Sequence, residues 1–469
     1  YKMMNIKDKI AIIGFGASGY GTYLGLKEKG FQNIYIYNFA TLKKKNEIDE
    51  WNIANLKNNY KSLKNELGFR AVNSKTYFGN ILGPIKIGDD KIYNNQIGGG
   101  LLNFWGGLLQ KFDHQTLQSC LNIDNLNDYY SKISNNISIS QVVHKNSKQN
   151  MYANKKNINC NRYVEEISEN IINNSTDVIE NDTILAISQN KEKACHCFIG
   201  CLKHTHFKTS NLNLDHNIKI INERVEKIDF DKKRVISNHS TQTFDKIYLN
   251  TGPYHDQKIL IQSSENNQNP IKVKDSTSFT FPIFYKGNIT KDKIDFSLTN
   301  CLFCIKDKKK ILGHAQIYPP IDHINKSIFP DYLWNKLNFI KDISTNRLLW
   351  VRCYLTDEYS QVKSTENYKK IDTLKEDKIK IAQNKFFEIF KKNLENKNFL
   401  TIKYLINSKT SSHYTGDSHH VTKNILKQSE NHYKKNIFFN DSLLWKILPS
   451  ESPTFTIMAN AFRNTDIYL

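Results

Sequence analysis

Three groups of residues in this chain have types and spacings that can do chemistry. The first is Gly14-Phe15-Gly16-Ala17-Ser18-Gly19. In such a G-x-G-x-x-G run the first glycine permits a tight turn. The second lets a pyrophosphate approach the backbone, and the third lets helix and strand pack closely. The opening helix then offers the free N–H groups of Ala17, Ser18 and Gly19, and its positive dipole end, to phosphate oxygens. The second group is histidine: His413 in His413-Tyr414-Thr415-Gly416, with His419 and His420 close behind. A neutral imidazole can take a proton at pH 7; the other reading of His413 is an ordinary loop residue. The third is Cys195-His196-Cys197 with Cys201, His204 and His206. Its spacing fits neither paired CxxC zinc ligands nor a ferredoxin run, so thiols packed in a loop are expected and no metal is assigned. Cys301 and Cys304 form a CxxC inside a strand-like stretch, where alternating faces argue against a redox pair.

The elements that position these residues are legible in outline. Residues 9–14 form an Ile-rich run, the pattern of a strand buried on both faces. A helical segment with Tyr20, Tyr23, Leu24 and Leu26 follows, and Ile34 to Tyr37 read as a second strand. Strand, glycine turn, helix and strand within about 30 residues begin a βαβ unit. An acidic residue commonly ends the second strand to bind ribose hydroxyls; Asn38 stands there, an uncharged amide that can still hydrogen-bond to a hydroxyl. Residues 217–252 alternate as strands. Phe279 to Tyr285, Cys301 to Ile305, Ile311 to Tyr318 and Leu348 to Leu355 predict a separate antiparallel sheet. A helix is expected over 374–396, with Ile379, Ile381, Phe386, Phe387 and Phe390 on its apolar side. Residues 115–215 are Asn-, Ser- and Lys-rich with weak periodicity. Near the end, Ser452 reads as an N-cap and Pro453 as the first residue of a last helix.

With these pieces in place the chain resembles the glucose–methanol–choline oxidoreductases, and more closely a bacterial branch of that family. Gly98-Gly99-Gly100-Leu101-Leu102-Asn103-Phe104-Trp105-Gly106-Gly107 is similar to the family's second glycine block, which passes beside the flavin. Tyr248-Leu249-Asn250-Thr251-Gly252 is similar to a strand end found in many FAD proteins, with Val225 where such folds contact adenine. Asn440-Asp441-Ser442, followed by Ser452-Pro453-Thr454-Phe455-Thr456-Ile457-Met458-Ala459-Asn460-Ala461, resembles the family's ending. The resemblance implies FAD as cofactor, held by Gly14 to Gly19, Asn38, Gly99, Gly100, Asn103, Trp105, Gly106, Val225, Thr251, Gly252, Asp441, Ser442, Pro453 and Thr454. It implies that the last helix aims its N-terminus at the flavin pyrimidine, where it would stabilise the negative charge of reduced flavin. It further implies that His413 takes the proton of a substrate alcohol while the carbon releases hydride to flavin N5. The family often adds a second His or Asn just before the final helix; Ser452 occupies that position, so the usual pair is incomplete.

The expected architecture is α/β: a discontinuous, Rossmann-like FAD-binding domain over 5–115, 215–275 and 405–469, and an antiparallel-sheet (α+β) substrate or cap domain over 116–214 and 276–404. The expected partner is a sugar- or alcohol-like small molecule. Two other readings stay open: a flavoenzyme of another type (reductase, desaturase or isomerase), which the incomplete pair favours, and a non-catalytic nucleotide-binding protein, which Asn38 favours. The formal net charge of +20 comes from Lys spread through the chain without an Arg–aromatic stripe, so nucleic acid is not expected and only weak association with an anionic membrane surface follows from it. The start of the chain runs from a charged stretch into a core strand and does not read as a secretory signal, which gives a cytoplasmic expectation.

Overall fold

The structure, a computed structural model, describes residues 6–38, 84–87, 90–93, 100–103, 105–144, 156–187, 207, 209, 212, 214–215, 217–264, 270–288, 298–308, 310–320, 347–365, 373–395, 397–403, 406–407, 413–416 and 436–468. In chain order, β1 (Ile10–Ile13) leads into α1 (Ala17–Glu28) and β2 (Ile34–Tyr37). Then come α2 (His114–Leu121), α3 (Asn127–Asn135), α4 (Arg162–Asn174) and β3 (Val178–Asn181). β4 (Lys219–Ile221), β5 (Lys246–Leu249), α5 (Pro253–Ser263) and β6 (Lys272–Asp275) follow. The long strands are β7 (Ser278–Tyr285), β8 (Cys301–Asp307), β9 (Lys310–Tyr318) and β10 (Leu348–Leu355). The chain closes with α6 (Thr373–Leu394), β11 (Phe399–Thr401), β12 (Tyr414–Gly416), β13 (Ile437–Phe439) and α7 (Thr454–Tyr468).

A five-stranded parallel sheet runs in the order β13-β5-β1-β2-β4. β1 pairs β2 on one side (Ile10 opposite Ile34) and β5 on the other (Ile10 opposite Lys246). It is buried on both faces. Ile10 and Ile12 enter one core with α1, α3 and α7, while Ala11 and Ile13 enter another with Val225, Val235 and Ile259 of α5. The chain reverses its strand order between β1 and β5, and open α/β sheets bind ligands at the carboxyl ends of strands at such a point. The two ends of the chain meet there. A Cβ added to Gly21 would lie 2.1 Å from the carbonyl oxygen of Met458, and one on Gly25 would lie 1.8 Å from Thr465 Oγ1. Only hydrogen at those two positions lets α1 lie backbone to backbone along α7.

The second large sheet is antiparallel, in the order β11-β7-β10-β9-β8-β3. One face presents Phe279, Phe281, Phe303, Val351 and Cys353 to Ile167 and Ile171 of α4 and to Phe386 and Phe390 of α6. This α/β arrangement is the fold class expected, and two details differ. Ile381 is 65% exposed and does not belong to the apolar side of α6. The stretch after 115 is not irregular: it carries α2, α3 and α4, with Asp113 and Asn161 as caps accepting from Thr116 N (2.7 Å) and Tyr163 N (3.1 Å). Among the described residues no helix is long and apolar enough to cross a membrane.

Candidate active site

β1 ends in Gly14, whose φ of +89° belongs to the left-handed region. A Cβ there would meet the carbonyl oxygen of Asn250 at 2.6 Å, so this turn is pressed against the end of β5. A Cβ on Gly19 would lie 2.2 Å from Gly14 O. Gly16 precedes the helix with no side chain capping it, so the N–H groups of the first turn are left to an outside acceptor. Gly100 joins this opening: its Cβ would be 3.8 Å from Gly16 Cα. Both glycine blocks therefore meet at the start of α1, where backbone amides are presented and no side chain of the cap residue covers them. That shape and chemistry fit a dinucleotide pyrophosphate. Gly99 lies outside the described residues, and of Asn103 only the backbone, in a short turn of helix, is described. Trp105 is buried with its Nε1–H on Phe207 O at 3.0 Å, and Gly106 beside it is half-buried. Asn38 sits at the carboxyl end of β2, buried, its N–H on Ile221 O at 2.9 Å. Val225 is buried against the other side of the parallel sheet, with Ile13 and Tyr37.

The tail is fastened to this mouth by a buried polar chain. Thr22 Oγ1 of α1 donates to Asn250 Oδ1 (3.2 Å) and accepts from Asn440 Nδ2 (2.9 Å), and Asn464 Nδ2 of α7 donates to Asn440 Oδ1 (3.1 Å). Next to it two carboxyls are buried together. Thr251 spends both its N–H (3.1 Å) and its hydroxyl on Asp256, while Asp441 Oδ1 accepts from Leu443 N at 2.8 Å. Burial first, then the Asp441 charge, pushes Asp256 well above the usual carboxylate range. Burial raises Asp441 to about 6, against the hydrogen bonds that pull it down. Among the described residues, Oδ2 of each acid is buried without a hydrogen-bond partner. Gly252 (φ +90°) turns the chain into α5 between the two acids. Ser442 Oγ donates to Tyr414 O at 2.6 Å, tying the tail to the His413 strand. α7 opens at Thr454, and Pro453 supplies the carbonyl for Ile457 N (2.9 Å). Pro453 is thus the cap and Ser452 stands outside the helix, one residue earlier than expected; its N–H is held by Gln110 Oε1 at 2.9 Å.

His413 is buried and stacks on Tyr354, with ring centroids 4.6 Å apart and planes 15° from parallel. Tyr354 belongs to a row that crosses the antiparallel sheet from Cys304 through His314 and Tyr354 to Ser278. These side chains share the face turned away from α4 and α6. His314 Nδ1 lies 2.8 Å from Ser450 Oγ and 3.9 Å from Glu451 Oε2. Burial lowers its affinity for a proton, so the ring is neutral at pH 7. Glu451 in turn accepts from Thr116 Oγ1 at 3.0 Å. The sheet face therefore meets the tail segment just before α7, through His314, and the proposed base, through Tyr354.

No protein-family model and no curated protein matches this sequence. Solved structures do match. Pyridoxine 4-oxidase from Mesorbium loti superposes with a TM-score of 0.58 at 11% identity, over 98% of this chain and 99% of the other. Formate oxidase from Aspergillus oryzae gives 0.58 at 10%, over 98% of each chain. Both are glucose–methanol–choline oxidoreductases. This chain has their fold.

The structure thus gathers Gly14 to Gly19, Asn38, Gly100, Thr251, Gly252, Asp441, Ser442, Pro453 and Thr454 around the carboxyl ends of the parallel strands. The cluster of Cys195, Cys197 and Cys201 lies outside the described residues, as do His419 and His420. Cys301 and Cys304 fall on opposite faces of β8 and both are free thiols, in keeping with a structural role. Elsewhere His144, Glu180 and Cys301 bring ligand-type atoms within 4.8 Å of one another, but Glu180 already accepts from Ser168 Oγ (2.6 Å) and Cys301 Sγ (3.1 Å). Sequence reasoning missed Asp256, Thr22, His314, Glu451, Tyr354 and Arg352. The available signal was a polar residue alone in an apolar run, as in Leu348-Leu-Trp-Val-Arg-Cys-Tyr-Leu355.

Proposed function

We propose that this chain is an FAD-dependent oxidoreductase acting on a hydroxyl-bearing carbon of a small alcohol- or sugar-type molecule. The observation that carries this reading is the pair of glycine blocks meeting at the start of α1, with the tail locked beside it through Thr22, Asn440 and Asn464. FAD, when bound, supplies the hydride acceptor. Around it, the first-turn N–H groups of α1 hold the pyrophosphate and Asn38 contacts the ribose without adding charge. The start of α7 presents its positive dipole end to the ring system. In this reading the parallel sheet, α1, α5, β12, β13 and α7 form the cofactor-binding part, and the antiparallel sheet with α4 and α6 roofs the substrate. His413, oriented by its stack on Tyr354, takes the hydroxyl proton as the C–H bond is broken.

The test is direct. Purified protein is expected to be yellow, with flavin absorbance that bleaches anaerobically with an oxidisable alcohol. His413→Gln is expected to keep the colour and lose roughly 10²- to 10⁴-fold in kcat, the usual worth of a general base. Unchanged turnover in that variant would remove His413 from the chemistry; a colourless protein that binds no added FAD would remove the whole reading.

A further inference from the structure

On the face of the antiparallel sheet that turns away from α4 and α6, Ser278 and Thr280 of β7 lie directly opposite Tyr354 and Arg352 of β10. Gln316 of β9 flanks Arg352 on the other side. Arg352 is only 6% exposed, and Tyr354 and Ser278 are more deeply buried still. A guanidinium taken out of water costs several kcal/mol unless an anion and hydrogen-bond acceptors replace the water. Among the described residues none does so. Arg352 Nε has no acceptor, and the side chain's recorded partner is the Tyr354 ring, 5.2 Å from Cζ. Gln316 is not available, because its Oε1 already accepts from Tyr318 OH (2.6 Å) and Thr299 Oγ1 (3.3 Å). Tyr354 OH and Ser278 Oγ are likewise buried without a partner. Three buried groups able to donate, one of them cationic, thus lie on one face of the sheet without hydrogen bonds to one another. No oxygen atom of the described residues satisfies them.

We propose that Arg352, Tyr354 and Ser278 form the docking point for an anionic oxygen group, a carboxylate or a phosphate, carried by the substrate. A planar guanidinium suits either oxyanion through paired N–H···O bonds. The patch adjoins His413, which stacks on the same Tyr354, so the group docked there is held close to the proposed base. This deepens the proposed function and rests on it for the identity of the bound molecule as a substrate: a hydroxy acid or a phosphorylated alcohol in place of a neutral one.

Calorimetric titration of the protein as purified, with glycolate, with inorganic phosphate and with the neutral diol ethylene glycol, separates the two sources and does not require turnover. Saturable binding of glycolate or of phosphate is expected, with none of the diol. Arg352→Met is expected to weaken that binding at least about 30-fold and Arg352→Lys by less, since the ammonium keeps the charge and loses the fork. Arg352→Met should also raise Tm in anion-free buffer by removing an uncompensated buried charge, whereas the preferred anion should raise Tm of the unmodified protein and leave the variant unmoved. A merely structural arginine would give the reverse, a Tm that falls with anion affinity intact. The proposal is overturned if neither anion binds, or if the unmodified protein's Tm responds equally to the anion and to chloride of the same ionic strength, a readout that stands even where the variants fail to fold. Anion binding by a colourless protein would sink the flavoenzyme reading and leave the anion site in place.

Discussion

At the mouth of α1 the groups on offer are backbone amides, and the backbone is packed so closely that a Cβ on Gly14 or Gly19 would lie 2.6 Å or 2.2 Å from a carbonyl oxygen. On the β7–β10 face the working groups are side chains, and the backbone beneath them is an ordinary antiparallel ladder. The first region is intolerant of added atoms because its contacts are with carbonyl oxygens that cannot move. The second should tolerate substitution as a fold and fail only as a binding surface, since Arg352, Tyr354 and Ser278 make no hydrogen bonds to one another. In the proposed reading that contrast separates a generic cofactor half from a specific substrate half.

The sharpest way to break it is Gly14→Ala. The added methyl group would sit 2.6 Å from Asn250 O on a residue with φ of +89°, combining backbone strain with a steric conflict against the end of β5. A loss on the order of 3 kcal/mol is expected, together with loss of retained flavin. Urea unfolding and the ratio of flavin to protein absorbance read the two effects. If the alanine variant keeps both its stability and its colour, the mouth is not the rigid element that the contrast requires.

How much was legible in the sequence divides along the same line. The mouth is local: six consecutive residues between an Ile-rich strand and a helix contain its whole logic, so Gly14 to Gly19 could be read directly. The tail was legible through its resemblance to the family's ending, and Asp441, Ser442 and Pro453 do lie beside α1, although the helix cap shifted by one residue. The four long strands were found within a few residues of their ends. Their faces were not. β10 is buried on both sides, so hydrophobic alternation, the usual sign of which side meets water, is absent from it. Only cross-strand register shows that Arg352 and Tyr354 share a face with Ser278 and His314, and register between strands over 30 residues apart is not written in any short motif. Asp256 was missed for a different reason: it looks like an ordinary first-turn acid of α5 until Asp441 is brought beside it by the fold.

A second, smaller effect tests whether the tail belongs to the mouth. Thr22→Val keeps the shape of the side chain and removes both hydrogen bonds, leaving Asn250 Oδ1 and Asn440 Nδ2 buried without partners. A cost of about 2 kcal/mol is expected from stranding those groups. Because the same chain continues through Asn464 into α7, the loss should be shared by Asn464→Leu, and the double variant should cost less than the sum of the two. Full additivity would mean that α1 and α7 are held together by the glycine contacts alone.

The smallest expected effect is also the most diagnostic of the acid pair. Folding raises the proton affinity of Asp256 and Asp441, so the stability they contribute is complete below the ordinary carboxylate pKa near 3.8, and the share of Asp441 is lost as pH rises through about 6. Buried histidines act in the opposite direction. His255 is pushed down to about 4 and His314 is lowered as well, both by burial, so their contribution is present above about 6.5 and fades as pH falls. The two trends overlap, and the stability curve of the unmodified protein between pH 4 and 7 should be flatter than either alone. Asp441→Asn separates them by removing the neighbouring charge that helps raise Asp256. Relative to the unmodified protein, the variant should gain on the order of 1 kcal/mol between pH 5 and 7.5, read by denaturant unfolding at each pH. A difference that stays constant across that range would show that the two acids do not influence each other's ionisation.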